Sequence, residues 1–271
     1  MDWSKIKTIF ILSFLVLDIY LMYEFTKIRH SSQYEFIKET SFEKRLSADE
    51  IQYVELPKNT IRDSYLSAKP KVFTVEEIEE LKDTKFEGQS INIVEHTMLQ
   101  SVLEDPISIS EKFEPAELNN FLKNQVLSGD QYRYWSKNDT DQTITYYQQL
   151  DNKLFYKNMS GELTFYLNKD NEIISYKQTL LVEIEELSEE EKILQPIKAL
   201  ETLYENGLLE YGSTITKVEL GYYTLVHLSY SSSQVLTPAW RFVVDDKENL
   251  FVNAFEGQII QLNNEDKKWS E

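Results

Sequence analysis

The chain has 271 residues, of which 46 are Asp or Glu and 28 are Lys or Arg, giving a formal net charge of −18. Such acidity repels phosphate polymers and excludes nucleic acid as a ligand, while the lack of cysteine excludes disulfides, thiolate metal sites and a Cys nucleophile. Thirteen per cent aromatic residues, with only seven Gly and six Pro, predict a folded, strand-rich chain and not a disordered stalk.

The first element is an apolar stretch over 6–26 interrupted by Asp18. As a helix, its 21 residues span roughly 31 Å, close to the hydrocarbon thickness of a bilayer. Lys5 and Lys7 give a positive N-terminal flank, and the far end, Leu21-Met22-Tyr23-Glu24-Phe25-Thr26, lacks the small-residue pattern of a cleavage site. The reading is an uncleaved signal anchor over 6–28, with residues 1–5 cytoplasmic and the remainder extracellular. About a dozen Leu, Ile, Phe and Val residues at about −0.3 to −0.6 kcal/mol each outweigh the ~2.5–3.5 kcal/mol cost of inserting Asp18. An intramembrane carboxyl points to a polar partner on another helix; the alternative is an Asp18 tilted toward the outer interface. Ile11, Phe14, Asp18, Leu21 and Phe25 alternate in steps of three and four, the spacing of a helix-packing seam.

Residues 31–49 read as a helical continuation or stalk, and 51–72, with Pro57 and Pro70, as irregular structure. Thr74-Val75-Glu76-Glu77 has the form of a capping box and opens a short helix to about Lys82. Residues 90–97 read as a strand. Pro115 then starts a helix with Leu118, Phe121, Leu122 and Val126 on its apolar face, closed by Ser128-Gly129. Strands are expected at 132–135, 143–150, 162–167 and 172–180, with hairpin chemistry at Asp151-Asn152-Lys153 and 168–171. A second capping box, Ser188-Glu189-Glu190-Glu191, predicts a helix carrying Ile193, Ile197, Leu200 and Tyr204, bent or broken near Pro196 and ended by Asn206-Gly207. Strands return at 215–230, 239–244, 250–254 and 258–262. The domain plan is a stalk and N-terminal extracellular region over 29–110, helix-plus-sheet units over 111–185 and 186–265, and a tail over 266–271: an α+β ectodomain.

The acidic runs 76–80 and 183–191 read as helix N-termini facing water, not metal ligands. His30, His96 and His227 are too dispersed for a metal motif, and no cofactor is expected. No Gly-x-Ser-x-Gly elbow, Ser-x-x-Lys or phosphate-binding Gly loop occurs, so the chain is not expected to be an enzyme. The pairs Tyr146-Tyr147 and Tyr222-Tyr223 lie on strands, where neighbours point to opposite faces, and read as half core and half surface.

The opening Met1-Asp2-Trp3-Ser4-Lys5-Ile6-Lys7-Thr8-Ile9-Phe10-Ile11, running to Leu17-Asp18-Ile19-Tyr20-Leu21, resembles the YycI (WalI) family of Gram-positive membrane regulators. So do Leu56-Pro57-Lys58, Ser64-Tyr65-Leu66-Ser67-Ala68-Lys69, Pro238-Ala239-Trp240-Arg241-Phe242 and Val252-Asn253-Ala254-Phe255-Glu256-Gly257, the last also similar to PepSY-like repeats. The resemblance implies a single-pass membrane protein that works beside a YycH-type partner to tune the WalK (YycG) sensor histidine kinase, which controls cell-wall metabolism. It also implies contact through transmembrane helices, for which the seam spacing and the carboxyl mark Phe14, Asp18, Leu21 and Phe25 as the expected interaction face. The alternative is a tethered PepSY-like module that binds or inhibits an extracellular protease or wall enzyme.

Overall fold

The computed structural model describes residues 7, 10, 14–22, 41–57, 59–224 and 233–261. The chain divides into two units, Met1–Ile51 and Gln52–Glu271. In the first, helix α1 covers 14–22 and α2 covers Phe42–Ala48. In α2 the Arg45 guanidinium lies 5.6 Å from the centre of the Phe42 ring, and Ser47 Oγ donates to the Glu43 carbonyl. Most of the expected anchor, and 31–40 of the expected stalk, lie outside the described residues.

The second unit is mostly sheet. Its strands are β1 (Gln52–Tyr53), β2 (Arg62–Asp63), β3 (Leu66–Pro70), β4 (Gln89–Val94), β5 (Met98–Ser108), β6 (Tyr132–Asn138), β7 (Thr143–Leu150), β8 (Lys153–Leu154) and β9 (Glu162–Leu167). They continue as β10 (Glu172–Gln178), β11 (Leu181–Glu186), β12 (Glu191–Lys192), β13 (Thr214–Thr224), β14 (Gln234–Val244), β15 (Glu248–Asn253) and β16 (Ile259–Ile260). The helices are α3 (Val75–Leu81), α4 (Asn119–Gln125) and α5 (Pro196–Glu205).

One antiparallel sheet has the order β4-β5-β10-β9-β7-β6, with β8 beside the end of β7. One of its faces is the main core. Leu99, Ile144, Tyr146, Leu163, Phe165 and Tyr176 are buried there with Leu118 and Leu122, and the partly buried Phe121 ring meets Phe165 and Tyr176 edge-on. Fully burying each such side chain is worth about 1.5–3 kcal/mol. Thr74 Oγ1 accepts from the Glu77 amide at 3.3 Å, as the Thr-x-x-Glu pattern predicts. Pro115 opens a 3-10 turn, Pro115–Leu118, that leads into α4; its cap is Glu114, whose amide donates to Glu117 at 2.7 Å. The hairpin turns follow the sequence: Asp151, Asn152, Asn171, Asp245 and Asp246 all have positive φ.

The other sheet runs β1-β13-β14-β15-β16, with β3 against the start of β14 and β11 outside β3; β1 pairs with β13 in parallel and the other pairs are antiparallel among the described strands. Helix α5 buries Ala199, Leu200 and Leu203, and Trp240 Nε1 donates to the Leu194 carbonyl at 2.8 Å.

Four expectations are corrected. Residues 51–72 are not irregular; they supply β1, β2 and β3. Residues 188–195 are not helical: β12 pairs with β2, the Leu194 amide donates to the Ala254 carbonyl, and the helix begins at Pro196. Proline has a fixed φ suited to the first helical position and pushes its predecessor into extended backbone, which overrides the Ser-x-x-Glu signal. Accordingly Glu183, Glu185 and Glu186 lie on a strand and not at a helix start. Finally, Tyr146 and Tyr147 are both buried, because the second sheet covers the other face at the end of β7.

Candidate interaction sites

Phe14, Asp18 and Leu21 lie on α1 at i, i+4 and i+7, which sets them on one helix face. Phe14 and Leu21 are 52% and 54% exposed, and the Phe10 and Phe14 rings are 5.1 Å apart. Phe25 lies outside the described residues. Among the described residues, no helix is long and apolar enough to cross a membrane.

The joint between the two sheets is the most elaborate polar site. At one end three donors converge on the buried Asp63 carboxylate: Tyr222 Oη at 2.6 Å, Lys153 Nζ at 2.8 Å and the Ser64 amide at 3.0 Å. Lys153 also sits 5.4 Å from the centre of the Tyr222 ring. Burial first, and then the hydrogen bond to Asp63, push the Tyr222 hydroxyl well above the usual tyrosine range. A backbone bond from the Tyr156 amide to the Tyr222 carbonyl, 2.8 Å, ties the β7–β8 hairpin to β13.

At the other end Glu219 receives Arg241 at 2.8 Å, Lys217 at 3.0 Å and Arg133 at 3.3 Å. Burial alone would raise the Glu219 carboxyl. The Lys217 hydrogen bond and the charges of Arg133, Lys217 and Arg241 outweigh it and hold the group below the usual range. Arg241 stacks 4.2 Å from the centre of the Trp135 ring, and its Nε donates to Asn249 Oδ1 at 2.6 Å. Beneath lie Tyr147, Leu154, Tyr156, Ala239 and Phe251. With their lone pairs occupied by fixed donors, Asp63 and Glu219 brace the sheets and are poorly placed to exchange protons with a substrate. Composition could not reveal this site, since Asp63 lies 90 residues from Lys153 and 159 from Tyr222. One signal was available: Arg241 is a lone cation in the apolar run 238–244.

A shallow cleft of about 490 Å³ opens beside Lys69, Lys71, Val72, Thr97 and Glu183. Both lysines are engaged, Lys69 by Glu183 and Lys71 by Glu77 at 2.9 Å. Among the described residues no three His, Cys, Asp or Glu side chains form a group that could hold a metal ion.

Against solved structures, the chain is similar to an uncharacterized protein from Eubacterium rectale, with TM-score 0.46 and 10% identity over 79% of this chain and 92% of that one. It is also similar to the C-terminal domain of YpeB from Bacillus megaterium, with TM-score 0.39 and 10% identity over 72% of this chain and 100% of that one. No curated protein matches. The model of the YycI protein family matches residues 31–255, which include β1 to β15 and the α2–α5 helices. The chain therefore belongs to the YycI family, and with it to the setting of WalK/YycG-type two-component regulation.

Proposed function

We propose that this chain is a membrane-anchored, non-enzymatic accessory regulator of a WalK/YycG-type sensor histidine kinase that controls cell-wall metabolism. In this reading the N-terminus is cytoplasmic and the sheet-rich unit extracellular, where it pairs with a YycH-type membrane protein. Regulatory contact passes through the membrane helices, on the face marked by Phe14, Asp18, Leu21 and Phe25. The family match carries the reading. α1 is exposed all round, and the choice of face rests on Asp18, the one carboxyl of the helix, with Phe14 and Leu21 on the same side of it. A carboxyl in hydrocarbon is costly unless another helix supplies a hydrogen-bond partner, so Asp18 is the residue on which association should turn.

The test is Asp18→Leu in the full chain, read by kinase output and by co-purification of the kinase and the YycH-type protein. The expected result is loss of both the signal and the association, with Asp18→Asn retaining part of each. Unchanged association and output in Asp18→Leu would reject the assigned face. Exchange of residues 1–28 for an unrelated membrane helix separates this reading from a tethered inhibitory module: a helix contact is lost, whereas an ectodomain binder keeps its activity.

A further inference from the structure

The face of the first sheet opposite its core carries two cross-strand rows. The register places Ser90, Val102, Ser175, Tyr166, Thr143 and Asn138 side by side in one row. It places Asn92, Gln100, Lys177, Thr164, Thr145 and Ser136 in the next. Across these twelve positions there is one charge, Lys177, and no acid, in a chain with 46 acids. The other sheet serves as an internal comparison: its open positions are charged, with Lys69, Glu183, Glu185, Lys217 and Glu248. Thr has a strand preference of its own that acts equally on both sheets; the acid-free strip is these two rows, bordered on the same face by Glu104 on β5 and Glu162 on β9.

The polar groups on this face are open. Ser90, Asn92 and Ser136 are exposed, and among the described residues the side chains of Asn92, Gln100, Thr143, Thr145 and Ser136 have no hydrogen-bond partner in the protein. Asn138 is committed to its turn, and Thr164 bonds Glu162. Val102 is 50% exposed, and the Tyr166 ring lies 5.7 Å beneath the Lys177 ammonium. The following row, Glu162, Tyr147 and Arg133, is where the second sheet closes over, so the face is a shelf with a wall along one side. Strands lie about 4.8 Å apart, so six of them make a track roughly 24 Å long, with one strand per step of about the length of a pyranose ring.

We propose that this shelf binds an uncharged, amide-bearing glycan strand laid across β4, β5, β10, β9, β7 and β6. Hydroxyl and acetamide groups match unpaired Asn, Gln, Ser and Thr side chains, which both donate and accept. Lys177, seated over the Tyr166 ring, adds an ammonium donor for sugar hydroxyls, and the ring holds it in place. A strip without acids suits a neutral polymer; a polyanion would meet one lysine and, around it, Glu104, Glu162 and a strongly acidic domain. The proposal does not depend on the helix contact assigned above.

The probe is the hexamer of β-1,4-linked N-acetylglucosamine, titrated into the purified full chain by calorimetry, with poly-glutamate as the anionic comparison. Saturable binding of the hexamer is expected, weakened at least tenfold by Tyr166→Ala and by the pair Asn92→Ala and Gln100→Ala, and unchanged by Tyr211→Ala, an exposed tyrosine elsewhere. Thr145→Glu, which adds an acid without removing bulk, should also weaken it tenfold while leaving the thermal midpoint near that of the parent. Absence of saturation at millimolar sugar, equal binding by all variants, or preference for poly-glutamate would each overturn the proposal. So would hydrogen-exchange protection of β4 and β5 by a YycH-type domain that the hexamer fails to displace.

Discussion

Gly221→Ala should loosen the joint between the two sheets, and its cost can be worked from distances. A Cβ at this position would lie 2.5 Å from the Leu154 carbonyl oxygen and 2.5 and 2.7 Å from Cζ and Cε2 of Tyr156. Gly221 pairs across the ladder with Ala239, itself fully buried, and the two small residues make the seat on which the Tyr156 ring rests. Regaining an ordinary contact of ~3.5 Å requires 154–156 to retreat by roughly 1 Å. That retreat would stretch the 2.8 Å bond from the Tyr156 amide to the Tyr222 carbonyl, immediately beside the new methyl group. Overpacking of this kind costs about 1–3 kcal/mol, and a buried amide left without its acceptor about 1–3 kcal/mol more. We expect about 3 kcal/mol in total, which for a unit of this size lowers the thermal midpoint by roughly 6–12 °C.

Calorimetric melting of the full chain measures that shift. Gly207→Ala is the control: its Cβ would meet nothing within 4 Å, but its φ of +69° penalises a side chain, by about 1–2 kcal/mol. Gly221→Ala must exceed it. Adding Tyr156→Leu should recover part of the loss, since the ring contacts vanish while the carbonyl contact remains, and the double variant should be less destabilised than the sum. A loss below about 0.5 kcal/mol in Gly221→Ala would refute the close approach and, with it, the tight union of the sheets.

Lys153→Met keeps the side-chain stem but removes one of three donors to Asp63. Breaking a buried ion pair costs about 3–5 kcal/mol; because Lys153 is 30% exposed and two donors remain, we expect about 1–2 kcal/mol by urea unfolding. Glu162 and Glu219 should shape the acid limb of stability in opposite senses. Burial raises the Glu162 carboxyl, against weaker opposition from its hydrogen bonds with Thr164 and Tyr147. Its contribution is therefore present below the ordinary glutamate pKa of about 4.3 and lost as pH rises through the raised value. Glu162→Gln should flatten that part of the profile and stabilise the protein at pH 7. Glu219 is held low, so its contribution is present above about 4.3 and lost as pH falls through the lowered value; Glu219→Gln should destabilise at pH 7 and differ little at about pH 3. Urea midpoints across pH 3–7 check both, and parallel profiles for the two variants would contradict the assignment.

Strands with clean alternation and polar turns could be read almost residue by residue: β7 and β9 begin and end where the pattern says, and the Asp-Asn and Asp-Asp turns take the positive φ that these residues tolerate. β5 escaped notice because Asp105-Pro106 interrupts it. The proline is accommodated where the ladder to β10 shifts register, between the Val102 and Ile107 pairings, so no strand bond depends on the missing amide. Segment 188–195 misled for the opposite reason. A local helix signal was present, but Pro196 and the β2 pairing, more than 120 residues away in sequence, decided the outcome.

The same distinction applies to function. The α1 face is a local property, spacing plus one carboxyl, and periodicity finds it without knowledge of the fold. The joint and the open shelf are properties of the register, and they share one strand. Along β7, alternate residues Tyr146 and Ile144 enter the core, while Tyr147, Thr145 and Thr143 point to the other face. The second sheet covers Tyr147 and stops short of Thr145 and Thr143, which are only partly buried. A one-residue slip of β7 would put the threonines in the core and the aromatics on the shelf, so the burial that fixes this register also fixes which hydroxyls the outer face presents. Damage to the joint should therefore weaken glycan binding through the position of the wall along the shelf, even where no shelf residue is altered. Gly221→Ala is the variant in which the two measurements can be compared directly: sugar affinity should fall at temperatures well below its lowered melting point.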